Sequence, residues 1–227
     1  MDICTRVEIV RKKIERACDR AGRNLEEVIL LAASKTQSVD KILEAYRCGV
    51  RYFGENRVQE GVEKINELID YKDIHWHLIG GLQINKAKHA VNYFQIIHSL
   101  DREELANEIN KRAERIGKIQ SCLIEVNFGE ESKYGVDEDK LFQLFEYCQK
   151  KNSIKVEGLM AIPPYFEDVE KVRPFFAKLR DLKEQLEKSY NVNLKHLSMG
   201  MSRDFEVAIE EGATIVRIGS AIFGERS

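Results

Sequence analysis

Short apolar runs and longer amphipathic stretches alternate along the whole of this 227-residue chain. The runs recur at intervals of roughly 20 to 39 residues, which is the size of a strand followed by a helix. This alternation predicts a (β/α)8 TIM barrel, with an extra amphipathic helix over residues 2–21 before the first strand. The eight predicted strands cover 28–33, 51–54, 74–77, 95–98, 120–126, 155–160, 194–197 and 214–218.

An open, doubly wound sheet is the main alternative fold. A dinucleotide-binding sheet of that kind carries G-x-G-x-x-G after its first strand, and this chain has no such motif there. The chain also lacks a linker rich in Pro, Gly or Ser. We therefore expect residues 1–227 to form one barrel domain.

The composition excludes several classes of protein. The chain has 36 Lys and Arg against 38 Asp and Glu, which disfavours a broad polycationic surface for nucleic acid. No apolar run approaches the roughly 20 residues of a membrane-spanning helix, and the first residues lack a signal-peptide core. The five cysteines are scattered and form no C-x-x-C pair. We expect a cytoplasmic protein without a disulfide framework, and neither nucleic acid nor a membrane as a partner.

A lysine follows the first predicted strand, where barrels carry their functional residues. Alternation along the strand places Leu31, Ala33 and Lys35 on one face. If that face lines the barrel, partial desolvation favours the neutral amine of Lys35, which can form a Schiff base. A lysine that extends into solvent from a strand end is the alternative interpretation.

Two loops rich in Gly and Ser follow the last two predicted strands. They contain Ser198-Met199-Gly200-Met201-Ser202 and Gly219-Ser220. In barrels such loops often hold a phosphate with backbone amides and small hydroxyls, although ordinary turns and a helix cap at Ser202 have the same composition. Arg217 precedes the second loop on a strand that closes against the first. An amine, an anion site and an arginine at one rim suit a cofactor that carries both an aldehyde and a phosphate.

The histidines leave a metal site open as a second hypothesis. His75 and His77 form an H-x-H pair on the third predicted strand, and His98 and His196 lie on other strands. Barrel metallohydrolases use such pairs with additional His and Asp ligands. No Asp follows the eighth predicted strand. We favour core histidines and expect no metal.

Longer motifs connect these residues to a known family. The chain resembles the pyridoxal phosphate homeostasis proteins, a barrel family similar to the N-terminal domain of alanine racemase. The motifs that carry the resemblance span about 200 residues in order. They are LLAASKTQ (30–37), YFGENRVQE (52–60), WHLIGGLQINK (76–86), IHSLD (97–101), EVNFGEESKYGV (125–136), GLMAIPP (158–164) and LSMGMSRDFEVAIEEGATIVRIGSAIFG (197–224).

The resemblance implies a function and a set of site residues. Pyridoxal 5′-phosphate (PLP) would form a Schiff base with Lys35, Asn56 would lie near its ring, and Arg217 would face its pyridine nitrogen. The resemblance places the phosphate among residues of the two loops: Ser198, Met199, Ser202, Gly219 and Ser220. It further implies a role in balancing intracellular B6 vitamers and amino acids. We expect a monomer, with PLP-requiring apoenzymes as candidate partners.

The resemblance implies no established reaction, and the chemistry agrees. An arginine at the pyridine nitrogen disfavours its protonation and so weakens PLP as an electron sink. We also expect no second domain that could supply the tyrosine base of alanine racemase. A PLP-dependent amino-acid racemase remains the alternative function. Two positions depart from the family pattern: Gly81 stands where many relatives carry a larger, often basic residue, and Gln37 stands where a second lysine is common.

Overall fold

A computed structural model describes residues 1–129 and 134–224 of the chain. Eight parallel strands form a closed ring. The strand Ile96–Leu100 pairs with Gln120–Asn127 at one side, and Ile29–Ala33 pairs with Ile215–Ile218 at the other. The predicted TIM barrel is therefore confirmed. The strands are β1 (Ile29–Ala33), β2 (Tyr52–Glu55), β3 (His75–Leu78), β4 (Ile96–Leu100), β5 (Gln120–Asn127), β7 (Ile154–Ala161), β8 (His196–Met201) and β9 (Ile215–Ile218), with a two-residue strand β6 (Val136–Asp137) added beside β5.

The helices surround the ring of strands. They are α1 (Ile3–Ala21), α2 (Val39–Arg47), α3 (Val58–Glu67), α4 (Ala87–Tyr93), α5 (Glu103–Arg115), α6 (Glu138–Gln149), α7 (Arg173–Tyr190), α8 (Phe205–Glu210) and α9 (Ser220–Phe223), with 3-10 turns at Leu25–Glu27, Ile84–Lys86 and Val169–Val172.

The extra N-terminal helix is present as predicted. The side chain of Asp2 accepts a hydrogen bond from the Thr5 amide at the start of α1, and Gly22 ends the helix in the left-handed conformation. Its apolar stripe, which includes Val7 and Ile14, is buried where α1 packs against α2, α8 and α9. In the described ranges, no helix combines the length and the apolar character needed to cross a membrane.

Two apolar layers follow from the alternation of side chains along the strands. The inner layer fills the barrel with Leu31, Ile79, Leu123, Met160 and Ile215. The outer and larger layer lies between the strands and the helices. Because β1 and β9 are in register at Leu31 and Arg217, the polar side chain of Arg217 enters the barrel above the inner apolar layer.

Most predicted strand ends agree with the structure to within two residues, but the end of β8 differs by four residues, and this difference affects the site. The seventh predicted strand ended at residue 197, whereas β8 continues to Met201. Ser198 and Met199 therefore belong to a strand and not to a loop. Gly has low strand propensity, but pairing of β8 on both sides in a closed barrel overrides that preference at Gly200.

The structure contains a disulfide, although the sequence led us to expect none. Cys4 in α1 and Cys48 after α2 form a disulfide, with their Cα atoms 5.3 Å apart. The two residues are 44 positions apart in sequence, so their proximity depends on the docking of α1. Cys18, Cys122 and Cys148 are free and buried, in agreement with a core role.

Candidate functional site

A cavity of about 510 Å³ opens at the carboxyl ends of the strands. This is the end at which TIM barrels carry their chemistry, and the volume is typical of small-molecule sites. The structure brings together six of the eight site residues proposed from the sequence. These six line the cavity: Lys35, Asn56, Ser202, Arg217, Gly219 and Ser220.

Ser198 and Met199 are the two candidates that do not line this cavity. Both side chains are fully buried in β8. The Ser198 hydroxyl lies 2.7 Å from Nη1 of Arg217 and 2.9 Å from Nδ1 of His98. Because β8 extends further than the sequence suggested, Ser198 supports Arg217 from within the barrel.

Lys35 lies in a tight turn directly after β1. The Ser34 amide donates to the Gly54 carbonyl at 3.0 Å, and the Gln37 amide donates back to the Ser34 carbonyl at 3.0 Å. The residue after the lysine, Thr36, has a φ of 64°. A β-branched residue adopts this left-handed conformation rarely, at a cost of order 1–3 kcal/mol, and only where the surrounding structure enforces it.

A network of charged side chains lies behind this turn. Lys64 of α3 donates to the Ser34 carbonyl at 2.8 Å, to Glu55 at 2.9 Å and to Glu60 at 2.7 Å. Glu55 also accepts the Ser34 hydroxyl at 2.5 Å, and Glu60 accepts the Thr36 amide at 2.5 Å. Both neighbours of Lys35 are thus bound to the next strand and helix.

Burial and hydrogen bonding act in opposite directions on the two carboxyl groups. Desolvation raises the pKa of Glu55 above its ordinary value, although Ser34 and Lys64 oppose that shift. Desolvation acts in the same direction on Glu60, but the hydrogen bonds from Lys64 and Thr36 outweigh it and lower the pKa of Glu60. Glu60 is therefore ionised at neutral pH and pairs with Lys64.

Arg217 forms the polar floor of the cavity. Its Nη1 donates to the carbonyl and the hydroxyl of Ser198 at 2.7 Å each, and its Nη2 donates to the Ala161 carbonyl at 2.9 Å. Desolvation lowers the pKa of Arg217 to about 10, opposed by the nearby charges of Glu125 and Asp204. The guanidinium therefore stays positively charged at neutral pH, in a fixed orientation.

The loops after β8 and β9 meet at Ser202. Its hydroxyl oxygen accepts from the amides of Gly219 and Ala221, both at 3.3 Å. A Cβ added to Gly219 would lie 3.5 Å from the Ala33 carbonyl oxygen, an ordinary contact, so Gly219 has room around it. Small residues, a hydroxyl and backbone amides on one side of the cavity are suitable for a phosphate group.

Another part of the cavity wall depends on close packing at Gly80. A Cβ at Gly80 would overlap the backbone of Asn56, so glycine at this position allows the loop after β3 to support Asn56 closely. At the neighbouring Gly81, a Cβ would lie 2.8 Å from the ring of Tyr134. The space above Gly81 is therefore occupied by Tyr134. The segment of the 125–136 motif over residues 130–133 lies outside the described residues.

Aromatic residues at the cavity mouth were not predicted from the sequence. Tyr165, on the loop after β7, accepts a hydrogen bond from Arg203, whose guanidinium lies 4.6 Å from the centre of the tyrosine ring. Phe166, the next residue, also lines the cavity. Both tyrosine and arginine follow strand ends, which is the one feature that could have indicated them.

The histidines of the metal hypothesis are arranged as a hydrogen-bonded pair inside the barrel. His77 Nδ1 lies 3.0 Å from His98 Nε2. Burial lowers the pKa of His77 to about 3 and lowers the pKa of His98 well below its ordinary value, so both rings are neutral. His75 instead stacks on Tyr52. Across residues 1–129 and 134–224, His, Cys, Asp and Glu form no group of three that could hold a metal ion.

Together these features define a class of protein: a TIM barrel whose mouth combines a lysine amine, a buried guanidinium and a small-residue loop pair suitable for an anion. Comparisons with known proteins agree with this class. Residues 9–227 match the family described as alanine racemase, N-terminal domain. A pyridoxal phosphate homeostasis protein of Aquifex aeolicus is 54% identical over 227 residues, which cover 100% of this chain and 99% of the relative.

Two solved structures extend the comparison. A protein from Bifidobacterium adolescentis, described only as an unknown protein, is 36% identical with a TM-score of 0.91, covering 97% of this chain and 94% of the other. PipY of Synechococcus elongatus, solved with PLP bound, is 36% identical with a TM-score of 0.84, covering 93% of this chain and 100% of PipY. The chain belongs to the alanine racemase N-terminal domain family and, within it, to the pyridoxal phosphate homeostasis proteins.

Proposed function

We propose that this protein binds PLP at the barrel mouth, holds it as a Schiff base on Lys35, and serves the intracellular homeostasis of PLP without catalysing a metabolic reaction. The observation that carries the proposal is the convergence of Lys35, Arg217 and the Ser202–Gly219 loop contact on one cavity. The PLP bound to PipY, a relative that this chain matches over most of its length, supports it.

The chemistry of the cavity residues fits the three functional groups of PLP. When bound, PLP supplies an aldehyde, whose carbon forms a double bond to Nζ of Lys35 while its oxygen leaves as water. Ser202 and the backbone at Gly219 and Ser220 would hold the phosphate. Asn56 would lie beside the ring. Arg217 would face the pyridine nitrogen with its positive charge.

With Arg217 facing the pyridine nitrogen, as proposed, its charge favours a carrier over an enzyme that needs a protonated ring. A fixed cation beside the pyridine nitrogen disfavours protonation there, whereas PLP enzymes that stabilise carbanions usually keep that nitrogen protonated. The names of the curated relatives refer to homeostasis and to no reaction. A racemase-like activity is the competing proposal, and the same preparation tests it.

The test is an absorption titration of the purified protein with PLP, followed by borohydride reduction and peptide mass mapping. We expect a visible band that borohydride abolishes and a reduced adduct on Lys35. Lys35→Ala should lower the adduct by at least about tenfold. Lys111→Ala, at an exposed lysine on α5, is the matched control and should leave the adduct unchanged.

Two outcomes would contradict the proposal. An adduct mainly on another lysine in the wild-type protein would remove Lys35 from its role. Interconversion of L- and D-alanine at a rate far above that of free PLP would favour the racemase.

As a test of homeostasis, the PLP-loaded protein should restore activity to a PLP-requiring apoenzyme, while the borohydride-reduced protein should not.

A further inference from the structure

The turn that carries Lys35 is bound on both sides by residues from outside it. We call Glu55, Glu60 and Lys64 the turn clamp. Lys64 donates to the carbonyl of Ser34, the residue before Lys35. Glu60 accepts from the amide of Thr36, the residue after Lys35. Glu55 reinforces the contact on the Ser34 side, since it accepts from both Ser34 and Lys64.

We propose that Glu60 and Lys64 are positioning residues for Lys35, which is an inference that rests on the proposed function. They do not line the cavity, so they act through the turn and not on the ligand. Their role is to fix the backbone at Ser34 and Thr36, so that the side chain of Lys35 is directed to the cavity before PLP arrives.

The backbone conformation explains why the turn needs a clamp. Thr36 has a φ of 64°, which a β-branched residue leaves readily if it is not restrained. The hydrogen bond from its amide to Glu60 is the contact that supports this conformation directly. Small shifts of a reacting side chain have large effects on covalent bond formation, since the reacting atoms must be aligned.

The charges of the clamp make it rigid. Lys64 and Glu60 are one turn apart on α3 and pair at 2.7 Å, and the side chain of Lys64 is only 9% exposed. Glu55 is fully buried. A buried charge with three acceptors around it has few alternative arrangements, because leaving any of them unpaired is costly.

Substitutions at Glu60 separate positioning from general stability. Glu60→Gln keeps a side-chain oxygen that can accept from Thr36, whereas Glu60→Ala removes it. We expect Glu60→Ala to weaken PLP binding about tenfold and Glu60→Gln to weaken it by less than about threefold. Glu63→Ala, an exposed position on the same helix, is the control and should not change PLP binding.

Hydrogen exchange of the PLP-free protein gives a readout that does not depend on the cofactor. Glu60→Ala and Lys64→Met should each increase exchange in the peptide that covers residues 34–37 and leave the peptide over β5 unchanged. In the PLP-loaded variants, the share of borohydride-reduced adduct on Lys35 should fall relative to other lysines.

The outcomes are distinguishable from a failure of the proposed function. If the wild-type protein forms no adduct on Lys35, the proposed function fails, whereas exchange in the PLP-free protein still tests the clamp. If Glu60→Ala lowers the melting temperature but keeps the wild-type affinity for PLP and the wild-type share of adduct on Lys35, the role is structural and the positioning proposal is overturned. Equal weakening by Glu60→Ala and Glu63→Ala would also overturn it.

Discussion

The hydroxyl of Ser198 lies 2.7 Å from Nη1 of Arg217, inside the barrel and below the cavity that Arg217 lines. The same hydroxyl lies 2.9 Å from Nδ1 of His98, so a chain of side chains from β4 and β8 supports the guanidinium of β9. Ser202, which lies in the same sequence motif, faces the cavity. The two serines are therefore expected to act differently on a bound ligand.

Ser202→Ala should weaken the binding of PLP about tenfold and leave pyridoxal, which has no phosphate, nearly unaffected. The reason is that Ser202 organises the loop amides suitable for a phosphate. Ser198→Ala should instead weaken the binding of PLP and of pyridoxal by a similar factor, since Ser198 acts through Arg217. Competition titrations of both aldehydes against wild type and the two variants make the comparison.

A Ser198→Ala variant that discriminates between PLP and pyridoxal as strongly as Ser202→Ala would contradict this division. That result would indicate that Ser198 contacts the phosphate, as the family resemblance implies. Unchanged affinity for both aldehydes would mean that Arg217 keeps its position without the hydroxyl.

The buried histidines predict that acid destabilises the protein. The pKa of His77 is about 3 in the folded protein because burial disfavours the charged ring, against an ordinary value of about 6.5 when unfolded. Below about pH 6.5 the unfolded state therefore binds more protons than the folded state, so the free energy of unfolding falls as the pH decreases towards 3. At pH 5 the titration of His77 alone should lower the free energy of unfolding by about 2 kcal/mol.

Urea unfolding at pH 7 and pH 5 tests this linkage. His77→Gln removes the titration while keeping a side chain that can hydrogen-bond to His98, so the loss between the two pH values should be smaller by about 2 kcal/mol. His89→Gln, the same substitution at an exposed position on α4, is the control. Equal pH dependence in wild type and His77→Gln would contradict the assignment.

The sequence alone predicted the barrel and the inward position of Arg217, because both follow from simple periodicities. The alternation of strands and helices indicates the fold, and alternation along β9 places Arg217 on the face of Ile215. The position of Ser198 depended on where β8 ends, which local propensity does not determine in a closed barrel.

The turn clamp could not be predicted from the sequence, for a different reason. Lys64 and Glu60 lie in an amphipathic helix, where a Glu and a Lys four residues apart usually indicate a solvated face. Only the packing of α3 against the turn after β1 buries Lys64. Contacts of this kind depend on tertiary structure and leave no local pattern.

The disulfide predicts a redox-dependent stability. Cross-linking Cys4 and Cys48 closes a loop of 44 residues, and a loop of that size stabilises a protein by about 2–4 kcal/mol in the unfolded-chain model. Reduction, or Cys48→Ser, should lower the free energy of unfolding by that amount in a urea titration. PLP affinity should not change, since neither residue lines the cavity. Equal stability of the oxidised and reduced proteins would show that α1 docks as firmly without the bond.

Two adjacent glycines in the loop after β3 provide a matched pair for the last prediction. Neither Gly80 nor Gly81 has a positive φ, so alanine at either position meets no backbone strain and differs only in what its Cβ contacts. At Gly80 the Cβ overlaps the backbone of Asn56, which cannot move without displacing that residue from the cavity wall. At Gly81 the Cβ meets the ring of Tyr134, a side chain that is 59% exposed and can rotate away.

Gly80→Ala should therefore destabilise the protein by about 1–3 kcal/mol and weaken PLP binding, whereas Gly81→Ala should change either quantity little. Thermal unfolding and PLP titration of both variants make the comparison. Asn56→Ala separates the two effects of Gly80→Ala: if Asn56 lies beside the bound ring, this variant should weaken PLP binding without a comparable loss of stability. Similar behaviour of Gly80→Ala and Gly81→Ala would mean that the loop moves as a unit, and that close packing at Gly80 does not fix the position of Asn56.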